Sequence, residues 1–305
     1  MELNQLRYVT AVAETGNFTR AAQRCSVAQP SLSQQIINLE KEIGHKLFHR
    51  LGRKAVLTEA GTVFLERARR ILFEVENTTK ELSDHPSLER RITVGAIATL
   101  APYLLPQLIA AGRKRFPNLQ VDIREDFKVH LLSAIIEGDL DLAIVAMPVK
   151  DPRIHVEKLL EEPLLLVVAK DHPLASRPQV TAADLAGETF ALLGTSSTLA
   201  AQVQRFCGDH NFEPRIRFRC AQVATVKALV AREVGISILP RIAQAPEDKK
   251  ALAYITLADS APVREVAVIR HMQRYQSRGA EQFLTLLREQ SEKRKIGKSE
   301  TAKNL

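Results

Sequence analysis

Residues 13–61 read AETGNFTRAAQRCSVAQPSLSQQIINLEKEIGHKLFHRLGRKAVLTEAG, and this stretch decides the fold of the amino-terminal part. Gly16 closes a preceding helical pattern in which Leu3, Leu6, Val9, Thr10 and Ala13 recur at steps of three and four. Asn17 is of the type that caps a helix, so a second helix is expected over Phe18 to Arg24, with Phe18, Ala21, Ala22 and Cys25 on one side. Ser26 followed three residues later by Gln29 has the form of a capping box, and Pro30 is tolerated only near a helix start. A third helix is therefore expected to open here and run to about Ile43. Its apolar stripe is Leu32, Ile36, Leu39 and Ile43, which leaves Gln29, Ser31, Ser33, Gln34 and Asn38 on the other faces. After Gly44, the run LFHRLGRKAVLT reads as two short strands joined by a tight turn at Gly52, with Arg50, Arg53 and Lys54 near its tip.

Outward from this stretch, Glu59 to Leu82 is one long helical pattern. Phe64, Ala68, Ile71, Val75, Thr78 and Leu82 alternate in steps of four and three, the spacing of a coiled-coil seam, so pairing with a second copy is expected. The helix-breaking SDHPS at 83–87 marks a linker. Beyond it the texture changes to short β-rich runs, ITVGAI, VDIRE, LAIVA, LLLVVA, FALL and ISIL, separated by helical patterns, which indicates parallel α/β units. The strand VREVAVIR and a closing helix around Gly279 to Gln290 follow, and the polar tail SEKRKIGKSETAKNL is expected to fray. The expected domains are a helical unit with its β-ribbon at 1–58, a linker and dimerisation helix at 59–88, an α/β domain at 89–290 and a basic flexible tail at 291–305.

At 305 residues the chain is long enough for two or three compact units. Lys and Arg number 43 against 35 Asp and Glu, a net charge of +8 that favours an anionic partner. No apolar stretch is long enough to span a bilayer, and the amino terminus lacks the pattern of an export signal, so a cytoplasmic protein is expected. Cys25, Cys207 and Cys220 have neither metal-ligand spacing nor the density of a disulfide scaffold. No cofactor or metal is called for. His130, His155 and His210 are scattered, and no nucleophile elbow or phosphate loop is present, so no enzymatic activity is expected.

Two helices joined by a short turn, the second with polar residues near its start, followed by a basic ribbon, form a DNA reader. Gln29, Ser33 and Gln34 both donate and accept hydrogen bonds, as major-groove reading requires, and a glutamine can pair bidentately with adenine. Arg50, Arg53 and Lys54 are expected on phosphates, where they set register without reading sequence.

The stretch quoted above resembles the amino-terminal signature of LysR-type transcriptional regulators over nearly its whole length. GAIATLAPYLLP, EGDLDLAI, AKDHPLA and GISILP extend that resemblance to about Gln290. It implies a winged helix-turn-helix, a dimerising linker helix, and an α/β effector domain of two lobes like periplasmic binding proteins, here about 89–162 with 264–290, and 163–263. It implies double-stranded promoter DNA, a small-molecule effector and RNA polymerase as partners, in a homo-oligomer assembled as a dimer of dimers. It places Gln29, Pro30, Ser31, Ser33 and Gln34 at base-proximal positions and Arg50 and Arg53 in the wing, with Ile37 where many members carry Arg or Lys.

A two-lobed α/β clamshell binds ligands at strand carboxyl ends, where helix amino termini offer free N–H groups. Thr99 after ITVGAI and Ser196, Ser197 and Thr198 after FALL occupy such places, as does Lys128 after VDIRED. Together they suit a small carboxylate. The effector part most resembles the peroxide-sensing OxyR-like branch, which pairs a reactive cysteine with another nine positions on. Cys207 matches the second position, but the first is Thr198, which cannot form a sulfenic acid, so a non-redox member is expected. A sugar-type repressor is opposed by the long helix at 59–82, since that class joins reader to core by a short hinge. A solute-binding protein is opposed by the lack of an export signal.

Overall fold

The computed structural model describes residues 1–52, 54–83, 90–258 and 262–301. The chain divides into two compact units, Met1–His85 and Pro86–Leu305.

In the first unit, α1 (Leu3–Thr15) ends at Gly16, whose left-handed φ of 62° suits a residue without Cβ and whose N–H donates to the Val12 carbonyl. Asn17 Oδ1 accepts from the Thr19 and Arg20 amides at 2.9 and 3.0 Å and starts α2 (Phe18–Arg24), as its residue type dictates. The expected cap at Ser26 does not form. Ser26 sits at φ 54°, and α3 (Gln29–Ile43) opens from Ala28 with Pro30 in its first turn, where the missing proline N–H leaves one fewer donor to satisfy. The short antiparallel strands β1 (Phe48–Leu51) and β2 (Lys54–Leu57) pair Arg50 with Ala55 and Leu51 with Lys54, with Gly52 at φ 61° in the turn. The Ala55 amide donates to the Gly16 carbonyl at 2.9 Å, tying this wing to the α1–α2 corner.

Thr58 Oγ1 caps the start of α4 (Glu59–Ser83) by accepting from Gly61 N at 2.8 Å. Gly61 is required there, because a Cβ would lie 2.0 Å from the Leu47 carbonyl oxygen. Leu32, Ile36 and Leu39 join Val9, Val12, Ala21, Ala22 and Leu47 in one buried core. Helix α4 packs along α1, and two of the positions expected in the seam are engaged within the chain: Phe64 packs on the unit's own core and Ala68 is buried. Close to the reader, α1 occupies the apolar stripe first. Farther along, Val75 is half-buried, while Ile71 is exposed and Leu82 is 82% exposed.

The second unit holds two apolar cores. Around the first, parallel strands β3 (Arg90–Ala96), β4 (Leu119–Glu125) and β5 (Leu142–Ala146) alternate with α5 (Ala101–Arg115) and α6 (Lys128–Glu137). The 16-residue β6 (Ile154–Ala169) then passes from one core to the other. Around the second core lie β7 (Thr189–Leu193), α7 (Thr198–Asp209), β8 (Arg215–Cys220), α8 (Val223–Val230), β9 (Ser237–Pro240) and β10 (Leu252–Ile255), with β7 and β8 parallel. Strand β11 (Val263–His271) returns to the first core. The large sheet runs β10-β6-β11-β5-β3-β4, with β9 also on β6. Residues 154–163 of β6 pair with β11, and 164–169 pair with β9 and β10.

The closing helix α9 (Arg278–Thr301) continues past Gln290 into the segment expected to fray. Ser291 is buried and donates to the Leu287 carbonyl, and Arg294 Nη2 donates to the Tyr103 carbonyl at 3.3 Å, so packing holds the first turn after Gln290.

Candidate functional site

Helix α3 presents Gln29, Pro30, Ser31, Gln34 and Asn38 to solvent, as its apolar stripe predicts. Ser33 is the exception. One residue past Leu32 and three before Ile36, it lies on the edge of the packed face and is 8% exposed, which removes it from the solvent edge of the helix. Gln34 Nε2 donates to Asn38 Oδ1 at 2.9 Å, one turn on, so its amide is already oriented along the exposed face. On the wing, Arg50 and Lys54 are exposed and form no ion pair among the described residues. Arg53 lies outside the described residues.

Sequence reasoning missed Glu40. Although charged, it stands four residues after Ile36, on the apolar side of α3, and is 5% exposed. Its Oε1 accepts from the Leu47 and Phe48 amides at 2.8 and 3.3 Å, and its Oε2 takes Lys46 Nζ at 3.0 Å. One carboxylate thus satisfies the backbone donors that lead into the wing. Its i+4 spacing from Ile36 was the available signal.

In the second unit, Thr99 does not cap α5; Leu100 holds the cap position. Thr99 is buried, and its hydroxyl accepts from Arg264 Nη1 at 2.8 Å while its carbonyl accepts from Nη2 at 3.3 Å. Arg264 is fully buried and bonds Glu162 Oε1 through Nε at 2.8 Å; Glu162 Oε2 accepts from the Ile242 amide at 3.0 Å. Burial lowers the Arg264 pKa, and the facing Glu162 carboxylate opposes that shift. This node joins β6 and β11 where they pass between the two cores. Glu162 and Arg264 are 102 residues apart, which no local pattern reveals.

Lys128 opens α6 and donates through Nζ to the Pro148 carbonyl, and burial lowers its pKa. Ser197 takes the cap position of α7, but its side chain makes no capping bond; Ser196 is exposed and Thr198 half-buried. The start of α7 thus has no side-chain cap from Ser197. Lys227 bonds Asp248 Oδ2 at 2.6 Å, and Tyr254 donates to the same oxygen at 2.6 Å. The Lys227 ammonium lies 5.9 Å from the Tyr103 ring of α5, so these groups fasten α5 to the second core. Cys25, Cys207 and Cys220 are free thiols, and burial pushes the Cys207 thiol up to about 11. Among the described residues no helix is long and apolar enough to cross a membrane.

Residues 3–62 match the model of the bacterial regulatory helix-turn-helix protein, lysR family, and residues 85–292 match the LysR substrate binding domain. The chain is 36% identical over 273 residues to the DNA-binding transcriptional dual regulator OxyR of Escherichia coli, covering 88% of this chain and 89% of that protein. Among solved structures, a full-length OxyR from Pseudomonas aeruginosa, carrying a cysteine-to-aspartate substitution, superposes with a TM-score of 0.72 at 27% identity, covering 94% of this chain and 98% of that one. Full-length CbnR in complex with its target DNA gives a TM-score of 0.56 at 26% identity, covering 95% and 100%. These homologues are transcriptional regulators rather than enzymes, and LysR regulators bind promoter DNA and small-molecule effectors and form oligomers, with RNA polymerase the partner their role implies. With a helical reader in its first unit and a two-lobed α/β effector domain in its second, the chain belongs to the LysR family of DNA-binding transcriptional regulators.

Proposed function

We propose that this regulator docks α3 in the major groove through Gln29, Pro30, Ser31 and Gln34, with Arg50, Arg53 and Lys54 on the flanking phosphates. Ser33 supports the helix from its packed side. The observation that carries this reading is the uncharged, hydrogen-bonding edge of α3 beside a wing whose Arg50 and Lys54 have no acidic partner among the described residues. Gln34→Ala is expected to reduce specific binding by about 1–3 kcal/mol at the preferred site, whereas Arg50→Ala weakens all duplexes alike and lowers the salt slope by about one. Anisotropy titrations over a salt series read both; two variants that bind like the wild type would defeat the docking.

The effector-binding region lies at the carboxyl ends of β4 and β7, at Lys128 and at Ser196, Ser197 and Thr198. The cation, the start of α7 without a side-chain cap and the hydroxyls beside it favour a small carboxylate. Thr99, expected in the same region, is buried and bonded to Arg264. Residues 89–290 serve as the effector domain, 1–58 as the reader and 59–88 as the connecting helix. Dimers form through the exposed side of α4, with Ile71, Val75 and Leu82, and pair further into tetramers; sedimentation as a monomer at micromolar concentration would exclude this. The protein works in the cytoplasm, without catalysis of its own, by changing DNA geometry for RNA polymerase.

Control is not by thiol oxidation. Thr198 has no thiol, and the buried Cys207 thiol resists ionisation at neutral pH. Thiol titration before and after peroxide should give equal counts; a loss of two thiols with altered DNA binding would contradict this.

A further inference from the structure

The Arg50 guanidinium, which has no acidic partner among the described residues, is held instead by an aromatic ring: its Cζ lies 4.5 Å from the centroid of Phe18. An aromatic face attracts a cation, and a guanidinium used this way keeps its N–H donors for a second partner. The platform is itself fixed. Phe18 is the first residue of α2, directly after the Asn17 cap, and its ring meets Phe48 edge to face at 5.8 Å and 72°. Phe48 is buried, and its amide donates to the Glu40 carboxylate. Arg50 pairs with Ala55, whose amide is anchored on Gly16, two residues before Phe18. Four elements therefore bring one arginine and one ring together on the face that carries the wing.

We infer that Phe18 is a positioning residue for DNA binding: its ring holds the Arg50 guanidinium in place for a phosphate contact. An arginine loses much rotamer freedom on binding, and ordering it beforehand reduces that loss. Phe18 acts through Arg50 and contributes no base reading. The inference rests on the wing reading given above, and the test separates the two.

The full chain is titrated against a labelled mixed-sequence duplex of about 30 base pairs over a salt series, because phosphate contacts are independent of sequence. Arg50→Ala is expected to weaken binding and lower the salt slope by about one. Phe18→Leu is expected to weaken binding about threefold, and Phe18→Tyr, which keeps the ring, to bind like the wild type. In the Arg50→Ala background, Phe18→Leu should cause no further loss. Phe18→Met, equally lacking a ring, is run beside Phe18→Leu so that one variant with native circular dichroism suffices. A threefold loss that persists in the Arg50→Ala background makes Phe18 a merely structural residue and overturns the inference, as does unchanged binding by the ringless variants while Arg50→Ala binds weakly. If Arg50→Ala changes neither affinity nor slope, the wing reading itself fails.

Discussion

Each unit buries a carboxylate, and the two are held in different ways. Glu40 is 5% exposed and Glu162 is 4% exposed. Glu40 faces two backbone amides at 47 and 48 and a lysine whose own side chain is largely in water. Glu162 faces an arginine with no exposed surface, plus one amide 80 residues away. Equal burial therefore hides unequal dependence. Removing Glu40 leaves two buried but neutral backbone donors without their acceptor; removing Glu162 leaves a charge stranded between two cores.

The largest effect expected from this contrast is that of Glu162→Ala, which should destabilise the second unit by about 3–5 kcal/mol through the unpaired Arg264. Urea unfolding followed by far-ultraviolet circular dichroism measures it, and a loss below about 1 kcal/mol would mean that the node is solvated in solution. Glu40→Ala should cost the first unit about 2 kcal/mol, because the Leu47 and Phe48 amides lose their acceptor. Hydrogen exchange at those two amides should accelerate in the same variant, and protection equal to the wild type would show another acceptor at work. Lys46→Ala should cost well under about 1 kcal/mol, since its ammonium is exposed and the carboxylate keeps both amide bonds. If Lys46→Ala matched Glu40→Ala, the ion pair rather than the amide clamp would be holding the wing.

The same contrast sets what was legible. In the first unit the helical steps, the Asn17 cap and the Gly52 turn are local, and each follows from residues within one or two turns of one another. The errors there arose where packing competed with a local rule. Ser26 adopts a left-handed turn instead of a cap, and Ser33 is drawn into the packed side of α3. In the second unit the β-rich runs were visible, as were Thr99, Lys128 and Ser196 to Thr198 near helix starts. That Thr99 answers to Arg264 was not, because β11 reaches it only after the chain has built the second core.

Hydrophobic spacing, cap and turn chemistry, and the basic ribbon determined by themselves that a helical reader precedes an α/β domain, since these depend on backbone geometry over a few residues. Tertiary structure alone decided which charges are buried, how far α9 extends, and that β6 and β11 carry an ion pair between the cores. The reason is that burial is a property of what surrounds a side chain: Glu40 and Glu162 are chemically alike in the sequence, and the groups that come to enclose each one give them different energies.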